Sequence, residues 1–131
     1  MKSRIIKLHE TKKIPAPFGN HVELRPFLHP HSAEEFDQSH GKPAINYSFG
    51  HFTIKPGTTW PATVFTVADV YYILSGSGIV TIDGKEMTVV PGDVVYVAPH
   101  ATRSISNPGD HDLTYLSIVD PAWNPEFEKQ V

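Results

Sequence analysis

Two residues apart in the segment "ADVYYILSG" stand a carboxylic acid, Asp69, and a phenol, Tyr71, and further along "TRSISN" carries the guanidinium of Arg103. Alternation along a strand sends residues two apart to the same face. An inward Asp69 therefore brings Tyr71 and Ile73 with it, and the same rule joins Thr63 to Phe65 and Arg103 to Ile105. An acid, a phenol and a guanidinium among apolar walls can do one of two things. Asp69 and Arg103 can neutralise each other, since buried charges are normally paired. Alternatively, Arg103 grips a carboxylate or phosphate of a small ligand by two parallel hydrogen bonds, while Asp69 or Tyr71 handles a hydroxyl or a proton. Proton abstraction beside a carbonyl, as in isomerisation or epimerisation, needs a base near the substrate and a stabiliser of the enolate.

The chain has eight histidines, a rich supply of the commonest metal ligand. His51, in "SFGHFTI", is a candidate general base if it points inward, or a ligand for a relocated metal together with Asp69; pointing outward it is only a packed or surface residue. The segment "FLHPHSAEEFDQSH" sets His29 and His31 two apart, followed by Glu34, Glu35, Asp37 and His40. That is zinc chemistry by residue type, but Pro30 and an irregular backbone oppose convergence, and a solvated arm is the expectation. His100 is expected at an exposed turn, His9, His21 and His111 on the surface, and Trp60 and Trp123 in packing or a dimer contact.

These residues need elements to hold them. From Asn46 onward, short runs rich in Val, Ile, Thr, Tyr and Phe ("NYSFGHFTI", "TVFTV", "DVYYILSG", "GIVTIDG", "DVVYVA", "DLTYLSIVD") are punctuated by Pro56-Gly57, Asp83-Gly84, Pro91-Gly92 and Asn107-Pro108-Gly109-Asp110. This is the spacing of an all-β sandwich or barrel, and "TIDGKEMTV" reads as a hairpin because Asp83-Gly84 supplies the positive φ angles of a tight turn. No helical period separates the strands, which disfavours a parallel βαβ architecture. Residues 1–45 carry prolines at 15, 17, 26, 30 and 43 and read as an irregular arm that wraps the barrel or a partner. Within the arm, Ser32 and Glu35 form a capping-box pattern for one short helix.

A length of 131 residues fits one domain, divided into the arm at 1–45, a barrel core at 46–119 and a tail at 120–131. With 40% hydrophobic and 19% charged residues the chain reads as soluble and globular. A net charge of −3 with scattered basic residues gives no footprint for nucleic acid. The absence of cysteine excludes disulfides and thiolate sites. No signal-peptide pattern opens the chain and no apolar run approaches the ~20 residues that cross a bilayer, so a cytoplasmic protein with small-molecule partners is expected.

Residues 52–123 resemble the cupin superfamily, whose fold is a double-stranded β-helix or jelly-roll barrel. The resemblance rests on Gly57, Gly76, Gly92 and Asn107 at the spacing of the two cupin motifs, and on "YYILSGSG" and "PGDVVYVAP". The family's metal ligands are missing from this frame. Its two first-motif histidines fall on Thr63 and Phe65, its glutamate on Asp69 and its second-motif histidine on Arg103, while His100 stands at a motif glycine and Ala98 at a motif proline. Thr is a poor ligand, Phe is none, and Arg brings a positive charge, so no metal or other cofactor is expected at the standard position. The resemblance also implies a homodimer. The expected function is binding of a small anionic metabolite in the barrel, with Arg103, Asp69, Thr63, Phe65 and Tyr71 as ligand contacts. Two alternatives remain open: a metal-free isomerase, epimerase or lyase using His51, Asp69 or Tyr71, and a metal-dependent enzyme whose ligands have moved to His51 and the 29–40 arm.

Overall fold

The computed structural model describes residues 3–16 and 21–131, and Pro17 lies outside them. Two antiparallel sheets face each other across the core. The larger runs in the order β1 (Ile14–Pro15), β2 (Val22–Leu28), β5 (Ser48–Ile54), β12 (Leu113–Asp120), β7 (Ala68–Ser75) and β10 (Val94–Val97). The smaller runs β13 (Glu128–Gln130), β6 (Thr58–Phe65), β11 (Thr102–Asn107), β8 (Gly78–Ile82) and β9 (Lys85–Val89). A two-stranded ribbon, β3 (Phe36–Asp37) with β4 (Lys42–Pro43), stands apart from both. Strands adjacent in sequence repeatedly sit in opposite sheets, which is the jelly-roll winding.

The inner faces alternate as strand geometry requires. On β7, Asp69, Tyr71 and Ile73 are buried; on β12, Leu113, Tyr115, Ser117 and Val119; on β11, Arg103, Ile105 and Asn107. The hairpin between β8 and β9 closes at Asp83-Gly84 with φ of 49° and 83°, the left-handed pair that a two-residue turn demands. The chain's other non-glycine left-handed residue among those described is His100, φ 71°, at the position of the motif glycine.

The segment before residue 46 does more than wrap. β2 pairs along β5 from Val22↔Ile54 to Leu28↔Phe49, extending the larger sheet, with a register shift between Pro26 and Leu28. A proline is tolerated there because it stands where the ladder is interrupted. The capping-box residues form a single 3₁₀ turn, Ala33–Glu35, in place of a longer helix, with Glu35 N–H donating to the Ser32 carbonyl at 3.1 Å. Arg4 bonds buried Glu35 and Arg25 bonds the Thr11 carbonyl, which fastens the chain's beginning to the body. Among the described residues no helix is long and apolar enough to cross a membrane.

Candidate functional site

A cavity of about 550 Å³ opens between the two sheets at the end where β2, β13 and the turn before β13 meet. Its walls are largely apolar and aromatic: Leu24, Phe52, Trp60, Phe65, Val119 and Trp123 all line it. Three aromatic contacts build the wall. Phe52 stacks on Tyr115 with centroids 5.3 Å apart, Trp60 lies 5.7 Å from Phe52, and Tyr71 lies 4.9 Å from Tyr115. Besides His29, His31, Ser48 and Asn124, the lining holds one polar cluster, where Asp69, Arg103, Ser117 and Glu128 stand together with the two tyrosines.

Each side chain is delivered by strand register. Asp69 and Tyr71 are two apart on β7, and Ser117 of β12 is the cross-strand partner of Tyr71, so one sheet presents the acid, a hydroxyl and both phenols. The other sheet presents Arg103, opposite Thr63 across β11 and β6. Between Arg103 and Ile105 the register shifts, and Ile105 pairs with Trp60, so β6 spends three residues where β11 spends two. Pro61 lies in that extra stretch, with no N–H to give to the ladder, and the bulge brings Trp60 inward on the same strand as Thr63 and Phe65. Plain alternation would have separated Trp60 from Thr63.

The charges are tightly grouped. Arg103 Nη2 lies 3.4 Å from Asp69 Oδ2 and 3.8 Å from Glu128 Oε2. Its Cζ sits 3.3 Å from the centroid of the Phe65 ring, a cation–π contact. Ser117 Oγ donates to Asp69 Oδ1 at 2.7 Å, and Trp123 Nε1 donates to Glu128 Oε1 at 3.0 Å. Burial pushes both carboxyls above their ordinary range, with the guanidinium opposing it. Burial by itself would lower Arg103, but Tyr71, Asp69 and Glu128 together raise it, so it stays charged. Burial, then the neighbouring Asp69, raises Tyr71 well above the usual phenol value; burial and Asp69 likewise raise Tyr115. Both phenols therefore remain protonated donors. One guanidinium thus faces two carboxyls, each also held by a side-chain donor, Ser117 for Asp69 and Trp123 for Glu128.

The candidate residues divide as follows. Asp69, Tyr71, Arg103 and Phe65 meet at the cavity. Thr63 is wholly buried across from Arg103 and does not line the cavity. His51 is not brought there either: its neighbours Gly50 and Phe52 line the cavity, while its own ring lies beside Phe27, centroids 6.4 Å apart, and its backbone pairs with Arg25. It is a packed residue on the other side of the sheet, and burial followed by the Arg25 charge lowers its pKa. His29 and His31 reach the cavity mouth, where His31 N–H donates to His29 Nδ1 at 3.2 Å and His29 Nε2 faces the Trp123 carbonyl at 3.0 Å. His40 instead contacts Asp37 at 2.7 Å. Among the described residues no three His, Cys, Asp or Glu side chains converge as a metal site.

Four contributors escaped the sequence reading: Glu128, Ser117 and Tyr115, and Trp123 in its role as a hydrogen-bond donor. Parity in "LTYLSIVD" groups Tyr115 with Ser117 on one face, but nothing local shows that this face meets Asp69. Glu128 arrives because β13 pairs on β6 with Glu128 opposite Phe65. The only local signal is the turn before it, where Asn124 caps Pro125–Phe127 by accepting from Glu126 N–H at 2.9 Å.

Residues 50–119 match the family model described as the cupin domain. An uncharacterized protein of Methanocaldococcus jannaschii is 34% identical over 62 residues, 47% of this chain and 50% of that protein. An oxalate-binding protein of Thermotoga maritima is 35% identical over 51 residues, 39% of this chain and 42% of that protein. The matches thus span half or less of these relatives. Among solved structures, one described as a predicted oxalate decarboxylase from Thermotoga maritima superposes with a TM-score of 0.71 at 24% identity, covering 90% of this chain and 99% of that one. A polyketide cyclase from Streptomyces resistomycificus superposes with a TM-score of 0.76 at 16% identity, covering 100% of this chain and 86% of that one. At such identities the superpositions speak for the fold alone, but the motif frame, the two-sheet winding and the family match over more than half the chain agree: the protein belongs to the cupin family.

Proposed function

We propose that this cupin binds a neutral, ring-bearing small molecule inside the barrel, without a metal at the family's usual ligand position. The observation that carries the reading is the Arg103–Asp69 pair, 3.4 Å apart, on the wall of an otherwise aromatic cavity. The residues present do not fit a divalent cation: Phe65 has no donor atom, Thr63 is off the cavity, and Arg103 would set a permanent positive charge against the metal. The cavity volume is in the range of small-molecule sites, and its aromatic walls suit a flat ring.

Charge argues for a neutral ligand. Two carboxyls already face Arg103, so an added anion would meet a guanidinium that is largely compensated. A second reading, an anionic ligand held by Arg103, draws on the name of the oxalate-binding relative. Both tryptophans of the chain line the cavity, so intrinsic fluorescence reports on either ligand. Titration with 2-naphthol should quench this fluorescence saturably and oxalate should not, and the result should be unchanged after dialysis against a chelator. Binding of oxalate that disappears on chelation would overturn the proposal.

The same proposal includes a homodimer through the outer face of the larger sheet. Tyr72, Val94, Tyr96 and Ile118 are exposed there on three neighbouring strands, running out to the free edge at β10. An apolar face continuous with an unpaired edge is what a second copy of the chain would cover.

A further inference from the structure

The polar end of the cavity contains more than a binding anchor requires. Asp69 is held at Oδ1 by the Ser117 hydroxyl, at 2.7 Å, which leaves Oδ2 on the Arg103 side. The Tyr71 phenol comes from the same strand face as Asp69, and the Tyr71 and Tyr115 rings lie 4.9 Å apart on the cavity wall. A base oriented by a hydroxyl, next to a guanidinium and a phenolic donor in an apolar cavity, has the parts of a metal-free proton-transfer site. Resting on the small-molecule reading above, we propose that Asp69 is a general base which moves a proton on the carbon beside the carbonyl of a neutral ring ketone, with Tyr71 and Arg103 holding the enolate oxygen.

The step balances without a further reagent. Asp69 Oδ2 takes the α-proton; the C–H electron pair becomes the C=C bond of the enolate, and the carbonyl π pair moves to oxygen, facing the Tyr71 hydroxyl and the guanidinium. Return of the proton from Asp69 to the same carbon restores the ketone with its configuration kept, exchange follows when the proton on Asp69 swaps with solvent before it returns, and return to a vinylogous carbon shifts the double bond. Burial favours this assignment, because a carboxylate with a raised pKa is a stronger base than one in water. It also keeps Tyr71 protonated and able to donate.

The test uses 2-tetralone in deuterium oxide, with proton NMR following loss of the α-hydrogen signal and tryptophan fluorescence following binding. Wild-type protein should accelerate exchange roughly 100-fold or more over buffer, within the ordinary range for general acid–base catalysis. The acceleration should survive a chelator, disappear in Asp69→Asn and fall about tenfold in Tyr71→Phe. In wild type it should also rise with pH as Asp69 ionises, a profile that needs no variant to fold. Saturable binding of 2-tetralone with exchange at the buffer rate would overturn the proton-transfer proposal and leave the binding reading standing. Absence of binding by both 2-tetralone and 2-naphthol would overturn both.

Discussion

Arg103 and Phe65, which the resemblance to the cupin motifs aligns with histidine positions, stack on each other, the guanidinium carbon 3.3 Å from the ring centroid. An aromatic face, two acids near its Nη2 and burial together make this guanidinium the neutralising centre of the barrel. Arg103→Met would leave Asp69 and Glu128 facing each other with no cation. Breaking a buried pair from one side costs about 3–5 kcal/mol, so urea denaturation at neutral pH should show a loss of that order. Near pH 4, where both carboxyls can take up protons, the loss should shrink. An equal loss at both pH values would show that the arginine contributes packing and little charge.

Both buried carboxyls have raised pKa values, with burial as the first cause, and the sign of the pH effect follows. The folded state holds protons that the unfolded state has released, so the native protein binds more protons across the window from the ordinary carboxylate pKa up to the raised one. Stability should therefore fall as pH rises through that window. His51 acts oppositely: its folded pKa is lowered, so protonation below its ordinary value of 6.5 destabilises the fold. Glu128→Gln should flatten the first slope and leave the second, as measured by melting temperature between pH 4 and 8.

Asn107, a motif residue, acts as a clasp. Its Nδ2 donates to the carbonyls of Ile54 at 2.9 Å and His111 at 2.7 Å, and its Oδ1 accepts from Gly109 N–H at 3.1 Å. Asn107→Ala should cost about 2–3 kcal/mol by leaving buried backbone groups unsatisfied. Chemical denaturation measures this, and Asn107→Asp, which cannot donate to the two carbonyls, should fare no better.

The exposed face of Tyr72, Val94, Tyr96 and Ile118 predicts the assembly. Light scattering after size exclusion should give twice the 14.6 kDa chain mass. Tyr96→Glu should give a monomer with unchanged circular dichroism. A wild-type monomer at high micromolar concentration would remove the proposal.

Local chemistry in the sequence determined a good deal of this molecule. The Asp83-Gly84 hairpin was legible because only a few residues accept positive φ at two successive positions. The grouping of Asp69 with Tyr71 and Ile73, and of Arg103 with Ile105, was legible because strand parity is a local property. The family frame was legible because its turns recur at set spacings. The tertiary structure decided which faces meet. Glu128 reaches Arg103 only because a three-residue strand at the tail finds the edge of β6. Trp60 reaches the cavity only because a bulge at Pro61 resets the parity of its strand. His51, whose residue type suits a base, packs beside Phe27 because the register of β5 against β2 sends Phe52 inward instead. Strand register between distant segments is set by the combined packing of the whole barrel, and no single segment carries it.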